Sequence, residues 1–89
     1  TNKKDMKTNF KMKEATNKEE AIASILDVLK ESPLWLNKCT GNMAIIIQNC
    51  SESLQPIILE SAPKDLIMDL FIEFKSEYYE FQDNTRWNY

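Results

Sequence analysis

Five carboxylates stand out by their spacing. Asp65, Asp69, Glu73 and Glu77 recur at intervals of four, and Glu80 follows three residues later. On a helix this spacing makes one continuous acidic stripe. Paired acid–base carboxylates, a divalent-cation site or a docking face for a basic surface could each use it. The first two need a second set of groups that the chain does not supply. It has no histidine, which removes Ser–His and Cys–His nucleophile pairs and His-containing zinc sites. Its single glycine, Gly41, leaves no phosphate-cradling loop and no dinucleotide fingerprint. Cys39 and Cys50 are two thiols where a closed zinc site takes four ligands; they are read as free and half-buried, with a disulfide between neighbouring strands as the alternative if the chain is exported. No catalytic, cofactor-binding or metal-ligating residue is assigned. The stripe is read either as a solvated face that keeps a small domain soluble or as a docking face for a basic partner, and the functional expectation is built on the second.

Charge alone is a weak adhesive at an exposed site, where each pair contributes roughly 0–1 kcal/mol. A docking face therefore needs an apolar anchor. Met68, Ile72 and Tyr79 supply a candidate, because their i, i+4, i+11 spacing makes a second apolar strip beside the acids, which could pack on the first helix, on the arm or tail, or on another molecule. The candidate partner-binding set is thus Asp65, Asp69, Glu73, Glu77, Glu80, Met68, Ile72 and Tyr79. Charge is also segregated along the chain. Residues 52–83 hold eight acids and two lysines, a net of −6, while the rest of the chain sums to +3. That asymmetry would steer a basic partner toward the acidic half.

Eighty-nine residues allow one small domain around one core. Residues 1–15 are rich in lysine (Lys3, Lys4, Lys7, Lys11, Lys13) and poor in apolar residues, which predicts a flexible basic arm. Within the arm, Met6 and Phe10 could pair across one turn of a frayed helix. A first amphipathic helix starts at Thr16 or Asn17, where Thr16-x-x-Glu19 fits a capping box; its apolar arc runs from Lys18 to Glu31, and Pro33 stops it. Three strand-like stretches follow. They are Leu34-Trp35-Leu36, the β-branched run from Met43 to Cys50, and Leu54 to Glu60, with Thr40-Gly41-Asn42 as a turn in which the glycine takes a positive φ. Pro56 places the third strand at an edge or confines its pairing to the residues after Pro56. Ser61-Ala62-Pro63 opens a second helix running from about Ala62 to Gln82, ended by Asp83-Asn84-Thr85, with residues 84–89 as a tail. The expected fold is a small α+β domain over residues 16–83, in the order α-β-β-β-α, with a three-stranded antiparallel meander packed on two helices. Its expected core is Ile22, Ile25, Leu29, Ile45, Ile47, Leu59, Leu70, Phe71 and Phe74.

The α-β-β-β-α order is that of double-stranded-RNA-binding domains, but their second helix opens on a lysine cluster that reads phosphates. Here Ser61-Ala62-Pro63-Lys64-Asp65 leads into acid, which repels phosphate, so that assignment is set aside. In size, acidity and a strand ending Leu59-Glu60-Ser61 before an acidic helix, the chain resembles small phage inhibitors, including some anti-CRISPR proteins. The resemblance implies an acidic domain that occupies a site on a larger enzyme. The functional expectation is a non-enzymatic protein-interaction module, of the phage or mobile-element inhibitor type, that binds a basic partner through the second helix. One alternative is a structural homodimer or accessory subunit joined through an apolar sheet face. Another is nucleic-acid binding by the basic arm, with Phe10, Trp35, Trp87 and Tyr89 available for stacking, which the overall acidity and the single arginine disfavour. No cofactor and no membrane partner are expected, since no apolar run approaches the roughly 20 residues of a span. The expected compartment is the cytoplasm. Export is left open because the chain begins at Thr1 and not at methionine.

Overall fold

The computed structural model describes residues 10–87, with side chains as far as Asp83. Helix α1 spans Lys18–Glu31, and a short 3-10 helix follows at Leu34–Lys38. Then come α2 (Asn42–Asn49), α3 (Gln55–Ser61) and α4 (Lys64–Trp87). No strand occurs among the described residues, so the expected α+β meander is corrected to an all-helical domain. The apolar sheet face offered for a homodimer does not exist, and the layout shared with the phage inhibitors goes with it. Residues 1–9, with Met6 of the proposed Met6/Phe10 pair, lie outside the described residues.

Of the two expected starts, Thr16 and Asn17, α1 uses the second. Asn17 is the N-cap, and its side-chain oxygen accepts the Glu20 N–H at 2.8 Å. The Glu20 carboxylate in turn accepts the Thr16 N–H and hydroxyl, both at 2.9 Å, and these bonds hold its pKa below the ordinary 4.5. At the other end Ser32 turns left-handed at φ 51°, and its N–H returns to the Val28 carbonyl at 2.8 Å. Pro33 then prevents any continuation.

All three expected strands are helical. The run of isoleucines pointed to β structure, yet β-branched residues lose only a few tenths of a kcal/mol each in a helix, and packing overrides that. In α2, Ala44 and Ile47 lie three apart and are fully buried on the core face. Gln48 Nε2 donates to the Cys39 carbonyl at 3.2 Å, fixing the helix to the turn before it. Pro56 sits in the first turn of α3, where its missing N–H costs nothing. Gln55 Nε2 donates to the Ile47 carbonyl at 3.1 Å and joins α3 to the end of α2. Residues that read as strand punctuation are therefore helix starts. The long helix also runs past its expected stop, through 83–85 to Trp87.

The core lies where α1 crosses α4, with the 3-10 helix and the two short helices packed around that crossing. Ala21, Ile25 and Val28 of α1 meet Ile67, Leu70, Phe71 and Phe74 of α4. Trp35 closes one end, edge-on to Phe74 with ring centroids 6.1 Å apart and 5.9 Å from Tyr78. Seven of the nine expected core residues are buried. Leu29 is half-buried and packs at the margin of the core, whereas Ile45 is exposed. A strand would have placed Ile45 and Ile47 on one face, but a helix turns Ile45 outward when Ala44 and Ile47 face in.

Candidate functional site

The eight candidate residues all lie on α4, but the helix distributes them over three environments. Asp65, Asp69, Ile72, Tyr79 and Glu80 are exposed and form an outer ridge, with Asp83 extending it. The large apolar side chains on that ridge keep much of their surface in solvent, 59% for Ile72 and 49% for Tyr79. Met68 turns inward and packs against the core. Glu73 and Glu77 are half-buried on the flank that faces the end of the 3-10 helix and the start of α2.

That inner flank uses its carboxylates structurally. The first turn of α2 contains no acid, and no side chain caps it. Glu73 reaches across from α4, and its Oε2 accepts the Gly41 N–H at 3.0 Å. A carboxylate at this position also complements the positive end of the α2 dipole. Gly41 has an ordinary φ of −60°, so the positive φ expected of it is not what the site needs. It needs space. A Cβ at Gly41 would lie 2.6 Å from Glu73 Oε1. The Glu77 Oε1 atom is buried with no hydrogen-bond partner among the described residues. Cys39 is buried beside these acids, and burial first, then Glu73 and Glu77, pushes its thiol up to about 12. Such a thiol is inert. Cys50 is half-buried and free, as expected from the sequence.

On the opposite flank of α4 the segment expected as a flexible arm lies as a strap, and of the three places open to the Met68, Ile72 and Tyr79 strip it is this arm that Tyr79 meets. Residues 10–15 run along the seam between α1 and α4 without regular structure. The buried Ser24 hydroxyl donates to the Lys13 carbonyl at 2.9 Å, and the exposed Lys13 ammonium lies 3.7 Å from Asp27. Phe10 meets Tyr78 edge-on at 6.4 Å. Glu14 is the hub: one carboxylate oxygen pairs with Lys75, and the other accepts the Tyr79 hydroxyl at 3.1 Å. These bonds hold the Glu14 pKa below 4.5 and raise those of Lys75 and Tyr79 above 10.5 and 10.0. The Lys75 ammonium also lies over the Phe71 and Tyr79 rings, at 5.6 and 5.9 Å. The strap thereby fixes one side of the Tyr79 ring and leaves the other to solvent. One signal was present in the sequence, since Glu14 is one of only two acids in a segment with five lysines.

The aromatic groups named for nucleic-acid stacking are placed differently from that expectation. Trp35 is 3% exposed and is part of the core, and Phe10 packs against Tyr78. The Trp87 side chain and Tyr89 lie outside the described residues. Among the described residues no group of three His, Cys, Asp or Glu side chains is arranged to hold a metal ion. No described helix is long and apolar enough to cross a membrane. An open groove of about 520 Å³ lies between the end of α1 and the start of α3, lined by Leu26, Leu29, Lys30, Cys50, Gln55 and Pro56 among others.

By fold this is a small helical domain carrying an acidic and apolar ridge on its longest helix. Comparison with family models, curated proteins and solved structures gives no match to this chain.

Proposed function

We propose that this domain works by binding, and that it docks a protein partner with a basic surface on the outer ridge of α4. The observation that supports this reading is the placement of Ile72 and Tyr79 among Asp65, Asp69 and Glu80. Two large apolar groups stay in water on the same ridge as three exposed acids. The acids supply long-range attraction and orientation, which chiefly raise the association rate. The apolar pair supplies the desolvated contact that slows dissociation. Tyr79 suits that role because its ring is already held by Glu14, so less side-chain freedom is lost on binding. Occupying a basic surface in this way would block it for any other acidic ligand, which is the sense in which the domain would act as an inhibitor. The proposed contact set is Asp65, Asp69, Ile72, Tyr79 and Glu80, with Met68, Glu73 and Glu77 supporting it from behind.

The test begins with a pull-down on the immobilised domain from its native host and continues with binding rates for the captured protein at low and high salt. Asp69→Lys with Glu80→Lys should slow association at low salt and flatten its salt dependence. Ile72→Ala should speed dissociation and leave association nearly unchanged. If the charge-reversed protein associates as fast as the parent at both salts, the ridge is only a solvated helix face and the reading fails.

A further inference from the structure

The α4 ridge has a relief as well as a charge. Its exposed residues Asp69, Ile72, Ser76, Tyr79 and Asp83 follow one another at steps of three and four, so they form a single row along the helix. At 1.5 Å per residue that row is about 21 Å long. Ile72 and Tyr79 stand seven residues apart, and the small Ser76 lies between them. Residues i, i+3, i+4 and i+7 of a helix surround one recess, which can accept a side chain from a facing helix. On the ridge these four are Ile72, Lys75, Ser76 and Tyr79. Ile72 and Tyr79 make opposite walls, and Ser76 leaves room between them. Lys75 forms the last corner, where Glu14 pairs its ammonium, so an incoming apolar side chain meets a neutralised charge. The Tyr79 wall is held by the same carboxylate.

The charges around the recess describe what could fill it. Asp69 lies next to Ile72 at one end, and Glu80 and Asp83 lie next to Tyr79 at the other. Among the exposed α4 residues from Asp65 to Asp83 there is no lysine or arginine. A base one turn before or after the inserted side chain would lay its stem on Ile72 or Tyr79 and carry its charge to these acids. A flat basic surface would meet the acids and leave the recess empty. An extended segment repeats every two residues and does not follow a row of three- and four-residue steps, whereas a helix does. We infer that the partner's contact element is a basic amphipathic helix, which inserts one large apolar side chain into the recess of Ile72, Lys75, Ser76 and Tyr79. This rests on the docking of a basic partner proposed for the same ridge.

The probe is a synthetic alanine- and glutamine-based helix of about 21 residues, with leucine at its centre and lysine three and four residues to either side. Its binding to the whole chain is read by fluorescence anisotropy at low and high salt. At low salt it should bind saturably below about 1 mM. Replacing the central leucine by alanine, or by proline to break the helix, should weaken binding at least about fivefold. Ser76→Trp fills the recess and should weaken it as much, while Ser76→Ala keeps the recess and the parent affinity. A Ser76→Trp protein that keeps its helical circular dichroism and binds like the parent overturns the inference. So does equal binding of the proline peptide, which would leave charge alone as the basis of recognition, and so does no binding of the leucine peptide at about 1 mM. If Ser76→Trp loses its helical signal, the alanine and proline peptides decide. In each failure the docking reading still holds if Asp69→Lys with Glu80→Lys slows association of the captured host protein, and it falls too if that rate is unchanged.

Discussion

The two flanks of α4 carry the same chemical groups and use them in opposite ways. On the outer ridge Asp65, Asp69 and Glu80 are solvated and free to act at a distance. On the inner flank Glu73 is spent on the Gly41 N–H, and Glu77 has one oxygen buried without a partner. Sequence spacing places all five on one stripe, because four-residue steps advance only about 40° around a helix. That drift is enough to carry part of the stripe under a neighbouring element. The lesson is that a run of like charges on a helix is not one surface until its neighbours are known.

The largest effect tests the platform that both flanks share. Phe74 is fully buried between Trp35 and the α1 face. Phe74→Ala should cost about 3–5 kcal/mol, a large part of the stability of so small a domain. A melting temperature within a few degrees of the parent would show that the crossing of α1 and α4 is not the main core.

The next experiment separates the flanks. Glu73→Ala removes a charge-assisted bond to a helix start and should destabilise the fold by about 1–2 kcal/mol in denaturant titrations. Glu80→Ala should change stability by no more than about 0.5 kcal/mol. Glu77→Met removes the unpartnered oxygen and keeps the apolar stem, so it should be neutral or stabilising by about 1 kcal/mol. Equal costs for Glu73 and Glu80 would erase the distinction between inner and outer carboxylates.

The smallest effect concerns the strap beside Tyr79. Because the folded state lowers the Glu14 pKa, the strap's contribution is present above pH 4.5 and is lost as pH falls through the folded value. Lys75 and Tyr79 have raised values, so their contribution is present below about pH 10 and is lost as pH rises through the folded values. The melting temperatures of the parent and of Glu14→Gln should therefore differ most at neutral pH and converge at both extremes. A constant difference across the range would mean that Glu14 acts through packing and not through charge.

How much of this was legible in advance differs between the long and the short helices. α1 and α4 each repeat their apolar positions over many turns, so periodicity identifies both helices and most of their core residues. α2 and α3 are about two turns long. Over so few residues a helical period and a buried strand look alike, and the β-branched isoleucines tip the reading the wrong way. Ala44 and Ile47 three apart, with Gly41 before them and Pro56 opening the next helix, were the only local hints of helix. Packing of the arm on the Tyr79 strip was one of three possibilities in the sequence, but which one holds depends on Glu14 meeting Lys75 and Tyr79 more than sixty residues away.

By itself the sequence determined the two long amphipathic helices, the segregation of acid onto the second and the absence of histidine chemistry. These follow from residue identity and from a period that a long helix repeats many times. Tertiary structure alone decided that the isoleucine runs are helical, that Glu73 and Glu77 turn inward while Asp69 and Glu80 face out, and that Glu14 grips Tyr79. The reason is that each of these outcomes depends on contacts between residues distant in the chain. Their energies outweigh local propensities of a few tenths of a kcal/mol per residue, and no local pattern records them.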